Sequence, residues 1–227
     1  GVDVFNRKYV CILDVSKIPN HSGGKISDNN RTNYAGQKKY GYFSQKDIKT
    51  LDQFGEWYLD KTTKDLSVFF GSNSPSSYQV KAGTIDTLFC VGDGGLAATG
   101  RVAQSNITVT NLAFEGANKF GFYSFNGKNI TVRNCSFNNN YNGLYSWNVP
   151  NAVCDNNIIS NTLNNGIQEY GQVSSPTVIT NNTVKNCGLF AGMGESGDGT
   201  YCGICQNGNN ANLLNNRIDS VGFNALQ

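Results

Sequence analysis

A chain of 227 residues is long enough for one ordinary domain or for a single elongated solenoid. Charged residues make up only 15% and the formal net charge is +2, so no dense Lys/Arg patch can neutralise a phosphate backbone and no nucleic-acid partner is expected. The one histidine, His21, rules out a multi-histidine metal centre, and no apolar run reaches the ~18–20 residues that cross a bilayer as a helix. The chain opens Gly1-Val2-Asp3, without an initiator Met or a leader peptide, which leads us to expect a processed chain or an internal piece.

Residues 1–105 show no regular period. Arg7–Leu13 reads as a strand, and His21 to Gln37, polar and rich in Gly, Ser and Asn, reads as a long loop. Glu56–Leu59 and Leu66–Phe70 flank Asp60-Lys61-Thr62-Thr63-Lys64-Asp65, a hairpin pattern. Leu88-Phe89-Cys90-Val91 looks like an entry strand. Residues 1–105 are therefore expected to be irregular β-rich N-terminal coils with inserted loops and a hairpin, and 106–227 to be regular coils.

From residue 106 the composition changes. Of 33 Asn, 27 fall in residues 106–227. Asn tolerates the left-handed backbone of tight turns, and the interleaved Ile, Val, Phe and Tyr argue against disorder. Five segments align on an Asn before a short apolar strand, beginning at Asn111, Asn134, Asn156, Asn181 and Asn215. Two residues earlier stand Val109, Val132, Cys154, Ile179 and Leu213, and three residues later Phe114, Phe137, Ile159, Val184 and Ile218. A third apolar position follows a Gly or Ala, at Phe122, Leu144, Ile167, Ile204 and Leu226. Three short strands in a period of about 22–25 residues predict the coils of a parallel β-helix, with like residues stacked on like. The aligned Asn are expected to form one left-handed turn ladder, bonded through their amides to neighbouring coils.

The run Asn129–Phe137 with Asn142-Gly143-Leu144-Tyr145 resembles the repeat of right-handed parallel β-helix proteins of the pectin-lyase-like superfamily. The stretch Gly41-Tyr42-Phe43, Thr50–Tyr58 and Phe70-Gly71 is similar to a region of large secreted bacterial β-helix proteins. The resemblance implies an all-β right-handed solenoid, a piece of a longer β-helix, secreted or held at the cell surface. In enzymes of this fold it also implies a groove along one strand face, bordered by loops of the neighbouring turn. The paired Asp motif of pectin-hydrolysing relatives and the clustered Asp ligands of Ca²⁺-dependent lyases are not evident in the chain.

Mapped on the repeat, that face is the strand after each Gly. Alternation turns Phe122, Leu144, Ile167 and Ile204 inward, and Tyr123 and Tyr145 outward. Phe125, Trp147 and Tyr170 form a second outward column. Flat aromatic faces with polar tips suit sugar rings, so Tyr123, Tyr145, Trp147 and Tyr170 are the expected substrate contacts. The one long insertion, Gly188 to Tyr201, leaves the coil just before this strand and carries Glu195 and Asp198. Those carboxylates suit general acid and base work or oxygen ligation of Ca²⁺, otherwise no cofactor and no metal site is expected. Glu169 is expected on the same face as their partner, and Lys119 and Arg133 are candidate contacts for a substrate carboxylate.

Seven Cys forbid complete internal pairing. Cys187 and Cys202 bracket the insertion, which makes them the disulfide candidate. Cys202-Gly203-Ile204-Cys205 spells C-x-x-C, read as strand alternation because neither a helix nor a second ligand pair accompanies it. The functional expectation is a secreted carbohydrate-active β-helix that binds a polysaccharide and, where carboxylates converge, cleaves it as a lyase or glycoside hydrolase. The alternative is a non-catalytic adhesive or structural scaffold. The absence of a polar cap after Ala225-Leu226-Gln227 adds the expectation of end-to-end or lateral self-association.

Overall fold

The computed structural model describes residues 48–52, 54–92, 104–171, 173–190, 193–195 and 198–227. The strand expected at Arg7–Leu13, the loop at His21–Gln37 and the Gly41-Tyr42-Phe43 run lie outside the described residues. The chain forms two compact units, residues 1–81 and 82–227. Among the described residues no helix is long and apolar enough to cross a membrane.

In the first unit the expected hairpin is present. Strands β1 (Trp57–Leu59) and β2 (Leu66–Val68) pair antiparallel, with Tyr58 opposite Ser67. The Asp60 carboxylate closes the turn by accepting the N–H groups of Thr62 and Thr63 at 2.7 and 3.2 Å, the local bonding that favours Asp in turns. Phe54, Phe70 and Tyr78 cluster beside it, with Phe70 stacked on Tyr78 at 5.4 Å.

The second unit is a parallel β-helix. One sheet runs β3 (Thr87–Gly92), β6 (Phe120–Phe125), β9 (Asn142–Trp147), β12 (Ile167–Gly171) and β15 (Ile204–Gly208). A second runs β4 (Ser105–Thr110), β7 (Lys128–Arg133), β10 (Val153–Asp155), β13 (Thr177–Thr180) and β16 (Ala211–Leu214). The third runs β5 (Ala113–Glu115), β8 (Ser136–Asn138), β11 (Ile158–Ser160), β14 (Thr183–Cys187) and β17 (Arg217–Val221). The strands of each sheet pair parallel, and the expected stacks are in register. Val109, Val132, Cys154, Ile179 and Leu213 are successive partners, as are Phe114, Phe137, Ile159, Val184 and Ile218. Phe89, Phe122, Leu144, Ile167 and Ile204 form the third stack, continued by a bridge from Ile204 to Leu226. These side chains fill the lumen, where Phe122, Phe137, Ile159 and Ile167 are fully buried.

The recurring Gly has a steric cause. A Cβ on Gly143 would sit 2.5 Å from the carbonyl of Gly166 in the next coil, and one on Gly166 would sit 2.6 Å from that of Gly203. Backbones packed this closely leave no room for a side chain.

Asn111, Asn134, Asn156, Asn181 and Asn215 all take left-handed φ near 50–58°, as a corner demands. Their amides bond upward in part, Asn156 Nδ2 donating to Asn134 Oδ1 at 2.8 Å and Asn181 Nδ2 to Asp155 Oδ1 at 2.8 Å. The buried ladder lies one residue later. Asn157 and Asn182 donate through Nδ2 to the Oδ1 of Asn182 and Asn216, each at 3.0 Å. Their second amide hydrogens reach the carbonyls of Val132 and Cys154 in the lumen.

Candidate functional site

Strand alternation on the β3–β6–β9–β12–β15 sheet places an aromatic ladder on its outer surface. Tyr123 stacks on Tyr145 with ring centres 5.4 Å apart, Phe125 on Trp147 at 6.0 Å, and Trp147 on Tyr170 at 5.2 Å. The interplanar angles lie between 12° and 25°. All of these rings are half-buried. The four expected contacts, Tyr123, Tyr145, Trp147 and Tyr170, are thus brought together on one face. Their orientation differs from the expectation, because each ring turns its flat face toward the ring of the next coil. The parallel coil spacing of about 4.8 Å suits aromatic stacking and drives this arrangement. Tyr170 ends the ladder, since Asn207 follows it in the next coil. Phe120 joins the ladder at 4.8 Å from Tyr123 and 4.9 Å from Tyr145. It stands two residues before inward Phe122, so strict alternation would have turned it inside; the chain breaks that alternation at Gly121, which is why the sequence pattern missed it.

The insertion 188–201 overhangs one end of this ladder. An added Cβ on Gly199 (φ 74°) would lie 3.1 Å from Cys205 Sγ and 3.2 Å from Tyr170 Oη, so the loop backbone rests on both. Asn165 Nδ2 ties the loop down by donating to the Gly199 carbonyl at 2.7 Å, and the Glu195 N–H approaches Asn164 Oδ1 at 3.4 Å. Burial raises the Tyr141 phenol to about 12, and the charge of Glu195 adds to the effect. Burial is also the largest cause that raises Tyr145, followed by Tyr123 and Tyr170, with Glu195 adding less. Glu195 is therefore within electrostatic reach of the ladder. Glu195 and Asp198 are both exposed on the loop.

Glu169 requires a correction. It was expected on the outer face, but the alternation that sends Gln168 and Tyr170 outward sends Glu169 into the lumen, where it is 2% exposed. It continues an inward column from Ser124 and Ser146, whose hydroxyls bond at 2.9 Å. Its Oε2 accepts from Gln206 Nε2 at 2.9 Å, while Oε1 and the nearby Thr177 Oγ1 are buried without a full hydrogen bond. Both line an internal cavity walled by Leu144, Ser146 and Ile167. Burial raises the Glu169 carboxyl above its ordinary value, partly offset by Gln206 and Thr177. A carboxyl inside the coil cannot partner Glu195 on the outside.

The expected disulfide is also absent. Cys187 and Cys202 are free, buried thiols. Cys187 Sγ faces the Lys185 carbonyl, and Cys202 Sγ faces the Thr200 carbonyl and Gln227 Oε1. Lys119, beside the ladder, pairs with Asp86 at 2.9 Å. Arg133 ends β7 on a different sheet, where its charge acts on Asp155, so it is not a contact of this face. Among the described residues no group of three or more His, Cys, Asp or Glu is arranged to hold a metal ion.

A family model described as a right-handed beta helix region matches residues 92–227. No curated protein and no solved structure matches the chain.

Proposed function

The chain belongs to the right-handed β-helix family, and from that premise we propose that it is a glycan-binding β-helix whose working surface is the aromatic ladder on the β3–β6–β9–β12–β15 sheet. The observation that carries this reading is the continuous outward run of Phe120, Tyr123, Tyr145, Trp147 and Tyr170, half-exposed and roofed at one end by the 188–201 loop. An outward face needs no aromatic residues for folding, and a polysaccharide is an extended ligand that matches an extended ridge. Sugar hydroxyls would meet the accessible phenol and indole groups, and sugar C–H groups the accessible ring edges.

Binding is favoured over cleavage. Acid–base or nucleophilic cleavage of a glycosidic bond ordinarily uses two carboxyl groups flanking it. Glu169 is turned inside, which leaves Glu195 and Asp198 on the loop as the available pair, for chemistry or for Ca²⁺. In this reading the protein works outside the cell, secreted or at its surface, and its coil length supports a place in the pectin-lyase-like superfamily, as in secreted bacterial β-helix proteins. Mutual stacking of the rings favours a second reading, a non-catalytic adhesive or structural scaffold in which the ladder serves only to hold the coils together.

A panel of neutral and uronate polysaccharides, scored for retention and for chain scission, separates the two. The glycan reading expects retention of at least one polysaccharide. Trp147→Ala should weaken it by about tenfold or more while the folded spectrum is retained, the lost stacking on Phe125, Tyr145 and Tyr170 lowering stability without unfolding the coils. Any scission should be lost in Glu195→Gln with binding intact. A panel without retention, or unchanged binding by Trp147→Ala, would leave the scaffold reading.

A further inference from the structure

The C-x-x-C run at Cys202 and Cys205 occupies a position where the coils press side chains three residues apart against each other. The sheet register sets Phe120, Asn142, Asn165 and Cys202 in one column, and Tyr123, Tyr145, Gln168 and Cys205 in the next. Two earlier coils show the contact directly. Phe120 and Tyr123 stack at 4.8 Å, and Asn165 Nδ2 donates to Gln168 Oε1 at 3.0 Å. The chain bends at Gly203 before entering β15, and Cys202 and Cys205 stand as the corresponding pair, near enough that each thiol shifts the other. Both are buried, Cys202 at 0% and Cys205 at 1% exposure. Cys205 points outward on the sheet, and Gly199 of the insertion rests on its sulfur.

We propose that Cys202 and Cys205 are a redox-active dithiol that closes to a disulfide by exchange with a small disulfide of the glutathione class, at the point where the insertion rejoins the coil. The contact with Cys205 lowers the Cys202 thiol and raises that of Cys205, against the Thr200 carbonyl and Gln227 Oε1 that face the Cys202 sulfur, and so favours Cys202 as the first to attack. Once residues 198–201 lift, the Cys202 thiolate attacks one sulfur of the small disulfide, forming a mixed disulfide and releasing one small thiolate. Cys205 then gives its proton to solvent, attacks the Cys202 sulfur and releases the second small thiolate. Two protein thiols are oxidised to one disulfide and one small disulfide is reduced to two thiols. The product would staple the foot of the loop beside Tyr170, independently of whether the ladder binds a glycan.

The test uses the full chain under native conditions, incubated with oxidised or reduced glutathione, then unfolded, alkylated and mapped by mass. The expected result with oxidised glutathione is loss of both alkylation sites in the peptide holding Cys202 and Cys205, with the mass of an internal disulfide. Reduced glutathione should restore both. Cys205→Ser should instead trap one glutathionyl group on Cys202. The proposal is overturned if both cysteines stay alkylatable in the oxidised sample, if Cys202 is found bonded to Cys187, or if the link forms only after unfolding.

Discussion

Adjacent asparagines in this molecule hold different things together. Asn156 sits exposed at a left-handed corner and its chief constraint is backbone shape, whereas Asn182 is buried and pairs with Asn157, Asn216 and the Cys154 carbonyl. Asn156→Ala should cost about 1–2 kcal/mol, the penalty of a left-handed L-residue. Asn182→Ala strands the Asn157 N–H and one Asn157 amide hydrogen, both of which donate to Asn182 Oδ1, at about 1–3 kcal/mol each, so it should cost roughly 2–6 kcal/mol. Urea unfolding of both variants checks the order, and equal costs would contradict the division of roles. The sequence shows the paired Asn156-Asn157 and Asn181-Asn182 but not which member turns inward, because that depends on where the corner falls. Glu169 was misplaced for a related reason, since counting from inward Ile167 already points it inside. Its folded carboxyl titrates above the ordinary 4.5, so as pH rises past that value the unfolded chain releases its proton first. Stability from this group is full below that value and is lost as pH climbs through the folded value. Glu169→Gln should therefore gain on the parent across that window, seen as a growing difference in Tm with pH. A constant difference would mean that the carboxyl is not desolvated.

At the scale of the strand and loop, period-two alternation and like-on-like stacking carry most of the information. The stacks through Val132, Phe137 and Leu144 are where the repeat places them, because a buried parallel strand tolerates only small or apolar inward residues. Phe137 lies between Phe114 and Ile159 with no exposure, so Phe137→Ala should cost about 3–5 kcal/mol in denaturant unfolding. The alternation also identifies the outward aromatic columns, but not the orientation of their rings, which follows from the coil spacing and the stacking it permits. The insertion is legible as a break in period, while its path over Tyr170 and Cys205 depends on contacts with Asn164 and Asn165 from the preceding coil. Because Glu195 adds its charge to the burial that raises Tyr141 to about 12, Glu195→Gln should lower that phenol's midpoint. It should stay above the free value of about 10, since burial is the larger cause. A phenolate absorbance titration of the variant against the parent reads the difference, and no downward shift would place Glu195 away from Tyr141.

Over the whole β-helix, three sheets meet at asparagine corners, and two of their outer faces are dominated by short polar side chains and scattered charges such as Arg133, Lys185 and Arg217. The third carries the aromatic ladder and the only long insertion of the aligned repeats. That asymmetry is the central claim of the account, since a solenoid with a purely structural purpose has no need to distinguish one outer face. Oxidative footprinting with a polysaccharide retained by the protein tests it most directly. Protection of Tyr145, Trp147 and Tyr170 is expected, with no change at Ile158 or Leu214 on the other two sheets. Protection confined to those other sheets, or none at Trp147 and Tyr170 at saturating polysaccharide, would contradict it.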